Sequence, residues 1–321
     1  MDARRALVVG GTGFIGRYVV AELLQRGYRV SVLSRRCFVE DATHELVRGD
    51  TEQLDEDGWA ELLAGHDAVV FAAGRDDRTV PPAPAAPYFH QGNVAPVERL
   101  AAAARRMGCR SLVVLGSYFT AIDRQRPQLA LANRHPYIRS RVEQAAAARR
   151  AAGPELPVAV LEIPFVFGAS PGRPSLWAPA GPLLRSRLPL FAPPGGTAVV
   201  PVRAVAQAAA GAVERRAAGD YPVAAENLGW AQLVERMALA AGRPGPVRVH
   251  SMPASVLHAA MRGVGVKHRL RRLEPGLSAR LVGPLLTSDL FLDPSVCRDE
   301  LGVVAGGSDE LDEAIRDSFS T

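Results

Sequence analysis

Short runs of aliphatic and β-branched residues alternate with longer stretches of helical spacing through the first half of the chain. Ala6–Gly10 reads as a buried strand, Phe14–Arg26 as a helix and Arg29–Ser34 as a second strand. Glu45–Arg48, Ala68–Ala73, Ser111–Leu115 and Val158–Leu161 read as further strands, with Trp59–Ala64, Val94–Met107 and Tyr137–Ala152 as helical stretches. Strands alternating with helices predict βαβ units on a parallel sheet, so the expected fold is α/β, a Rossmann-type doubly wound parallel sheet. Between Gly74 and Tyr88 lies a proline-rich loop carrying the cluster Arg75-Asp76-Asp77-Arg78; a long loop directly after a parallel strand is where sites are built. After Gly168 the texture changes. Pro and Gly crowd residues 169–197, a strand-like Ala198–Val202 follows, and helices are expected at about Ala204–Arg216 and Trp230–Ala241. The rest, from Pro244, is less regular and more basic. This predicts a main domain over residues 1–168, re-entered at about 198–216, and a smaller C-terminal substrate lobe made of 169–197 and 217–321.

Composition narrows the class. The chain has 321 residues, 48% of them hydrophobic and 22% charged, which suits a folded protein with a large core and excludes a disordered or fibrous one. Net charge is only +5, and Lys267 is the sole lysine among 38 basic residues, leaving 37 arginines. Those cations are spread too widely to form a nucleic-acid stripe, so no nucleic acid is expected as a partner. Cys37, Cys109 and Cys297 lie far apart without ligand spacing, which argues against a disulfide framework and against a metal site. No apolar run approaches the roughly 18 residues of a membrane helix, and Met1 leads into the first strand without a leader-like segment. A cytoplasmic protein with no membrane partner is expected.

The chemistry begins at Gly10-Gly11-Thr12-Gly13-Phe14-Ile15-Gly16, between the first strand and the first helix. Glycines there allow a tight turn and close approach of a pyrophosphate, and the N–H groups of the helix start attract its charge. The strand before and the helix after give this motif its context as a dinucleotide site. NAD-specific sites place an acid at the end of the second strand. Here Leu33-Ser34-Arg35-Arg36 stands instead, and two guanidiniums suit a 2′-phosphate, so NADP(H) is expected over NAD(H).

Further along, Gly49-Asp50 follows the third strand, Ala72-Ala73-Gly74 the fourth and Ser117 the fifth; Asn93 opens a long helix, Tyr137 stands four residues before Arg141, and Pro164-Phe165-Val166-Phe167-Gly168 closes the region. With the glycine turn, these motifs resemble the short-chain dehydrogenase/reductase superfamily in its extended, epimerase/dehydratase-like branch. The likeness is good over residues 4–168, fair over 198–240 and faint beyond. It implies a cofactor-binding set comprising Gly10, Thr12, Gly13, Phe14, Ile15, Gly16, Ser34, Arg35, Arg36, Asp50, Ala72, Ala73, Gly74, Asn93, Pro164, Phe165 and Val166. It also implies a tyrosine, Tyr137, that exchanges a proton with the substrate oxygen while hydride moves at the nicotinamide.

The sequence departs from that pattern in three places. The family's YxxxK is Tyr137-Ile138-Arg139-Ser140-Arg141 here, so a guanidinium stands where an ammonium is usual, and that exchange is not conservative. Gly116-Ser117-Tyr118 offers one serine, with Tyr118 a second candidate for the serine's role. Glu162 stands where relatives usually carry arginine, and a buried pair with a nearby arginine is expected. The catalytic set is thus Tyr137, Arg141, Ser117 and Tyr118. The resemblance implies an NADP(H)-dependent oxidoreductase acting on a carbonyl or alcohol of a small, secondary-metabolite-like molecule. The alternatives are a nucleotide-sugar epimerase or dehydratase and a non-catalytic nucleotide-binding subunit. The basic run Arg262–Arg280 reads as a solvated face, or as the meeting point for an anionic or carrier-linked substrate. A homodimer through the helices at 94–107 and 137–152 is expected from the family.

Overall fold

The computed structural model describes residues 4–35, 44–169, 172 and 175–320. Arg36, one of the two expected readers of a 2′-phosphate, lies outside the described residues, as does Cys37. The chain opens with β1 (Arg5–Val9), α1 (Phe14–Gln25), β2 (Arg29–Ser34), β3 (Glu45–Arg48), α2 (Glu56–Leu63) and β4 (Ala68–Phe71). It continues through α3 (Ala85–Phe89), a π-helical turn at His90–Val94, α4 (Ala95–Arg106), β5 (Ser111–Leu115), α5 (Phe119–Gln125), α6 (Leu131–Arg134), α7 (Pro136–Ala152) and β6 (Val158–Glu162). Then come β7 (Phe165–Phe167), α8 (Gly181–Arg185), β8 (Leu190–Ala192), β9 (Gly196–Pro201), α9 (Val202–Arg215) and β10 (Gly219–Pro222). The last part holds β11 (Glu226–Gly229), α10 (Trp230–Ala240), β12 (Val249–Ser251), α11 (Ala254–Leu270), α12 (Val282–Leu286), β13 (Asp289–Leu290), α13 (Ser295–Leu301) and α14 (Ser308–Asp317).

The main sheet has seven strands in the order β10-β6-β5-β4-β1-β2-β3, every pair parallel. Its strands are short apolar runs because both faces are covered. Ala6 and Val8 point to the face packed by α1 and α9, while Leu7 and Val9 point to the face packed by α2, α4 and α7, following the two-residue period of a strand. Strand order reverses between β1 and β4, and the ends of these two strands define the crevice where doubly wound sheets hold ligands.

Two expectations need correction. Residues 198–216 do return to the main domain through α9, which packs on α1, but β9 does not join the main sheet. It sits in a second sheet between β11 and β13, with β7 paired to its end. The strand that does rejoin the main sheet is β10, so the return extends to Pro222. The region after Pro244 is also more regular than its sequence suggests: α11 is a helix of 17 residues, none of them fully buried. Among the described residues no helix is long and apolar enough to cross a membrane.

Candidate functional site

The glycine turn is built by contacts that leave no room for side chains. Gly10 has φ +81°, and a Cβ there would stand 3.0 Å from the Ala72 carbonyl oxygen. At Gly16 a Cβ would stand only 2.2 Å from the Gly10 carbonyl oxygen. The Gly10 N–H donates to Leu33 and the Gly13 N–H to Gly10, at 2.8 and 2.9 Å. Thr12 and Ser34 share a hydroxyl–hydroxyl hydrogen bond of 2.6 Å that ties the turn to the end of β2. α1 starts at Phe14 with no side-chain cap and no acid in its first turn, which favours an anion at its N-terminus. The donor set and the missing Cβ atoms fit a dinucleotide pyrophosphate. Arg35 is exposed just after Ser34, and Asp50 closes its own turn by accepting from the Glu52 N–H at 3.1 Å.

Ala72, Ala73 and Gly74 carry the chain from the glycine turn to the tyrosine helix. Were Gly74 to bear a Cβ, it would meet Asn93 Oδ1 at 2.8 Å and an Arg141 guanidinium nitrogen at 3.4 Å. Tyr137 is 6% exposed and Arg141 8%. Arg141 Nε donates to the Tyr137 hydroxyl at 3.3 Å, as the four-residue spacing along α7 allows. A second guanidinium nitrogen donates to Gln144 Oε1 at 2.9 Å, and Gln144 in turn donates to the Asn93 carbonyl at 2.9 Å. The rings of Phe89 and Phe119 stand edge-on to Tyr137, with centroids at 5.7 and 6.4 Å. Arg141 thus lies beside the phenol and is held there by Gln144.

Asn93 is fully buried in the π-helical turn. Its side-chain oxygen accepts from the Arg75 N–H at 2.7 Å and its amide donates to the Arg75 carbonyl and to Ser140 Oγ, both at 3.0 Å. Its side chain is a brace between the β4 loop and α7. Arg75 itself grips Glu52 with a terminal nitrogen at 2.6 Å and lies 4.0 Å over the Tyr88 ring. Ser117 and Tyr118 sit where β5 meets α5. Tyr118 accepts from Thr197 Oγ1 at 3.3 Å, and burial pushes its phenol well up, which keeps it protonated. Phe165 packs on Tyr118, Trp177 and Trp230, and the Val166 carbonyl accepts from the Trp177 indole at 3.0 Å. Pro164 to Val166 therefore form a wall that also spans to the second sheet.

Glu162 has the arginine partner expected of it. It is 0% exposed and takes both arms of Arg124 at 2.7 and 2.8 Å, with Thr120 Oγ donating as well. Three contributors were not singled out from the sequence. Ser140 stands three residues after Tyr137 and Gln144 three after Arg141, a periodic signal that could have found them. Asp77, in the flagged loop cluster, has its carboxyl raised by burial and by Asp76, partly offset by Arg78 and Arg141. It is an acid held in the electrostatic neighbourhood of Arg141 and Tyr118.

A segment from the C-terminal lobe buttons onto this site. The Tyr137 N–H donates to the Gly276 carbonyl at 3.0 Å and the Ser278 N–H to His135 Nδ1 at 2.9 Å. The Ala85 N–H donates to Glu274 Oε2 at 2.6 Å. Burial, and after it Arg134, push the His135 imidazole down to about 4. The unfolded chain titrates this group near its ordinary value and so binds the extra proton between there and pH 4. Stability is full above about pH 6.5 and falls by about 2–3 kcal/mol as pH drops to 4. Denaturant midpoints across that range should lose this slope in His135→Gln; an unchanged slope would assign it to another group.

A parallel sheet with a glycine turn at its switch point, and a buried tyrosine–cation pair beside it, are the layout of the extended short-chain dehydrogenase/reductase class. The sequence model of the NAD dependent epimerase/dehydratase family matches residues 6–180, more than half of the chain, and this protein belongs to that family. A curated relative, the decarboxylating sterol-4-alpha-carboxylate 3-dehydrogenase of Dictyostelium discoideum, is 32% identical over 76 residues, 22% of this chain and 23% of that protein. Among solved structures, gox2253 superposes with a TM-score of 0.74 at 22% identity, covering 99% of this chain and 97% of the other. The human epimerase family protein SDR39U1, solved with NADPH, gives 0.68 at 18% identity, covering 98% and 99%. The UDP-glucose-4-epimerase of Stenotrophomonas maltophila, solved with NAD and formylated UDP-arabinopyranose, gives 0.66 at 19% identity, covering 98% and 97%.

Proposed function

We propose that this protein transfers hydride between a nicotinamide dinucleotide, NADP(H) in preference to NAD(H), and a hydroxyl- or carbonyl-bearing carbon of a small molecule. The observation that carries the reading is the buried Tyr137–Arg141 pair, 3.3 Å apart, with the guanidinium close against Gly74. When bound, the dinucleotide supplies the hydride donor or acceptor. Tyr137 gives its proton to the substrate oxygen on reduction and takes one on oxidation. Arg141 stabilises the negative charge that grows on the phenol oxygen, as a lysine would, and Gln144 fixes its fork. Ser117 orients the substrate oxygen, with protonated Tyr118 as a further donor. Arg35 and Arg36, at a strand end without an acid, favour a 2′-phosphate.

Family membership and the UDP-sugar-bound neighbour favour a second form of the same chemistry. A nucleotide-linked sugar that is oxidised and re-reduced within one cycle fits the site at least as well as a free secondary-metabolite-like carbonyl. We also infer a homodimer through the alanine-rich α4 and α7. The test is turnover of purified protein against panels of carbonyl compounds and nucleotide sugars, with nicotinamide absorbance followed. Net NADPH consumption supports the oxidoreductase, and product without net cofactor change supports the epimerase or dehydratase. Cofactor binding with no turnover on either panel overturns the proposal in favour of a nucleotide-binding subunit. NADPH should bind more tightly than NADH, and Arg35→Ser/Arg36→Ser should erase the difference; equal affinities in the starting protein would remove the 2′-phosphate assignment.

A further inference from the structure

The arginines and the lysine between Arg262 and Arg280 are all exposed, and Arg269, Arg272 and Arg280 among them line one cleft. α11 ends at Leu270, and Arg272 beyond it takes the left-handed conformation, φ 55°, which is costly for a residue with a side chain. This turn and the segment that follows border an open cleft of about 610 Å³ whose lining includes His268, Arg269, Arg272, Glu274, Ser278 and Arg280. Among the described residues, no carboxylate forms an ion pair with Arg269, Arg272 or Arg280. The one acid of the cleft, Glu274, is engaged by the Ala85 N–H at 2.6 Å. The negative end of α11 accounts for a cation in its last turn, but not for Arg280, which arrives from a separate segment. Room for Arg280 is made by Gly265, where a Cβ would stand 3.2 Å from Arg280 Cγ. His268 Nδ1 is buried there without a hydrogen-bond partner, and such atoms normally have one.

We propose that this cleft binds a phosphate-bearing anion, a phosphomonoester or diphosphate group. The guanidinium forks of Arg272 and Arg280 match phosphate oxygens bidentately, and Arg269 adds charge. None of Tyr137, Arg141, Ser117 and Tyr118 lines the cleft, so the site is separate from the tyrosine site. The two share a wall: residues that line the cleft, Glu274 and Ser278, flank the Gly276 carbonyl that fixes the first turn of α7. An anion seated there steadies the segment on which the Tyr137 backbone hangs.

The test is calorimetric titration of the full chain already saturated with its dinucleotide, which fills the glycine turn. Inorganic pyrophosphate, UDP and coenzyme A are titrated in separate arms, so a bare phosphate group, a nucleotide and a carrier-type phosphate are told apart. At least one should bind at a single site. Arg272→Gln/Arg280→Gln should weaken that binding by about tenfold or more, the loss of a single good interaction, while the variant keeps its unliganded thermal midpoint. Arg185→Gln/Arg187→Gln removes the same charge elsewhere in the lobe and should leave affinity within about twofold, under 0.5 kcal/mol by the same conversion. Absence of binding in all three arms, or equal weakening by both pairs, overturns the proposal. The readout is binding and not turnover, so failure of the catalytic reading would leave it standing.

Discussion

Tyr137→Phe is expected to lower kcat by about 10²–10⁴-fold, the range that a positioned proton donor contributes. The substitution removes one oxygen and keeps the ring that Phe89 and Phe119 pack against. Dinucleotide affinity and thermal midpoint should therefore stay close to those of the parent, and full turnover by the variant would reassign the proton donor. Arg141→Met separates charge from packing. Its stem still fills the space beside α7, but the donor to the phenol oxygen is gone. The rate should fall less than in Tyr137→Phe, because the proton donor stays in place while the group that stabilises negative charge growing on its oxygen is lost. A rate equal to the parent's would make Arg141 a packing residue.

The second large effect is expected at Gly16. Its missing Cβ would stand 2.2 Å from the Gly10 carbonyl oxygen, a distance no side-chain rotation can relieve, because the Cβ is fixed by its own backbone and the oxygen is a backbone atom. Gly16→Ala must push the turn away from α1, and overpacking of this kind costs about 1–3 kcal/mol. If that cost falls on the bound geometry, dinucleotide affinity drops by about 10- to 100-fold. Fluorescence titration of the reduced dinucleotide checks it, with Gly27→Ala as a comparison: Gly27 is left-handed at φ +80° but has nothing within 4 Å of its Cβ position. Unchanged affinity in Gly16→Ala would show that the turn does not hold the pyrophosphate.

The parallel sheet was legible because its signal is local. Each of β1, β2, β4, β5 and β6 is a short apolar run fully contained in a few residues, and burial on both faces leaves little polar alternation to confuse the reading. Tyr137, Arg141 and the glycine turn were legible for the same reason, since their spacing lies within one helix or one turn. The second sheet was not. β7, β9, β11 and β13 are only two to six residues long and pair across up to about 90 positions, so their partners are set by tertiary packing. α11 gave no usable period because it buries no residue fully and leaves Val266 and Leu270 exposed at 49% and 81%. Asn93 was marked by its motif, but its partners Arg75 and Ser140 were not, and nothing in the sequence around Gly276 marks its contact with Tyr137.

The buttoning of Gly276 and Ser278 onto Tyr137 and His135 sets an order in time during synthesis. The two partners of the first bond are 139 positions apart in the chain. At about 5–20 residues per second a ribosome needs on the order of ten seconds to cover that interval. The glycine turn and α7 leave the ribosome first, while the segment that closes on Tyr137 is still unmade. The contact that fixes the first turn of α7 is thus among the last to become possible as the chain is made.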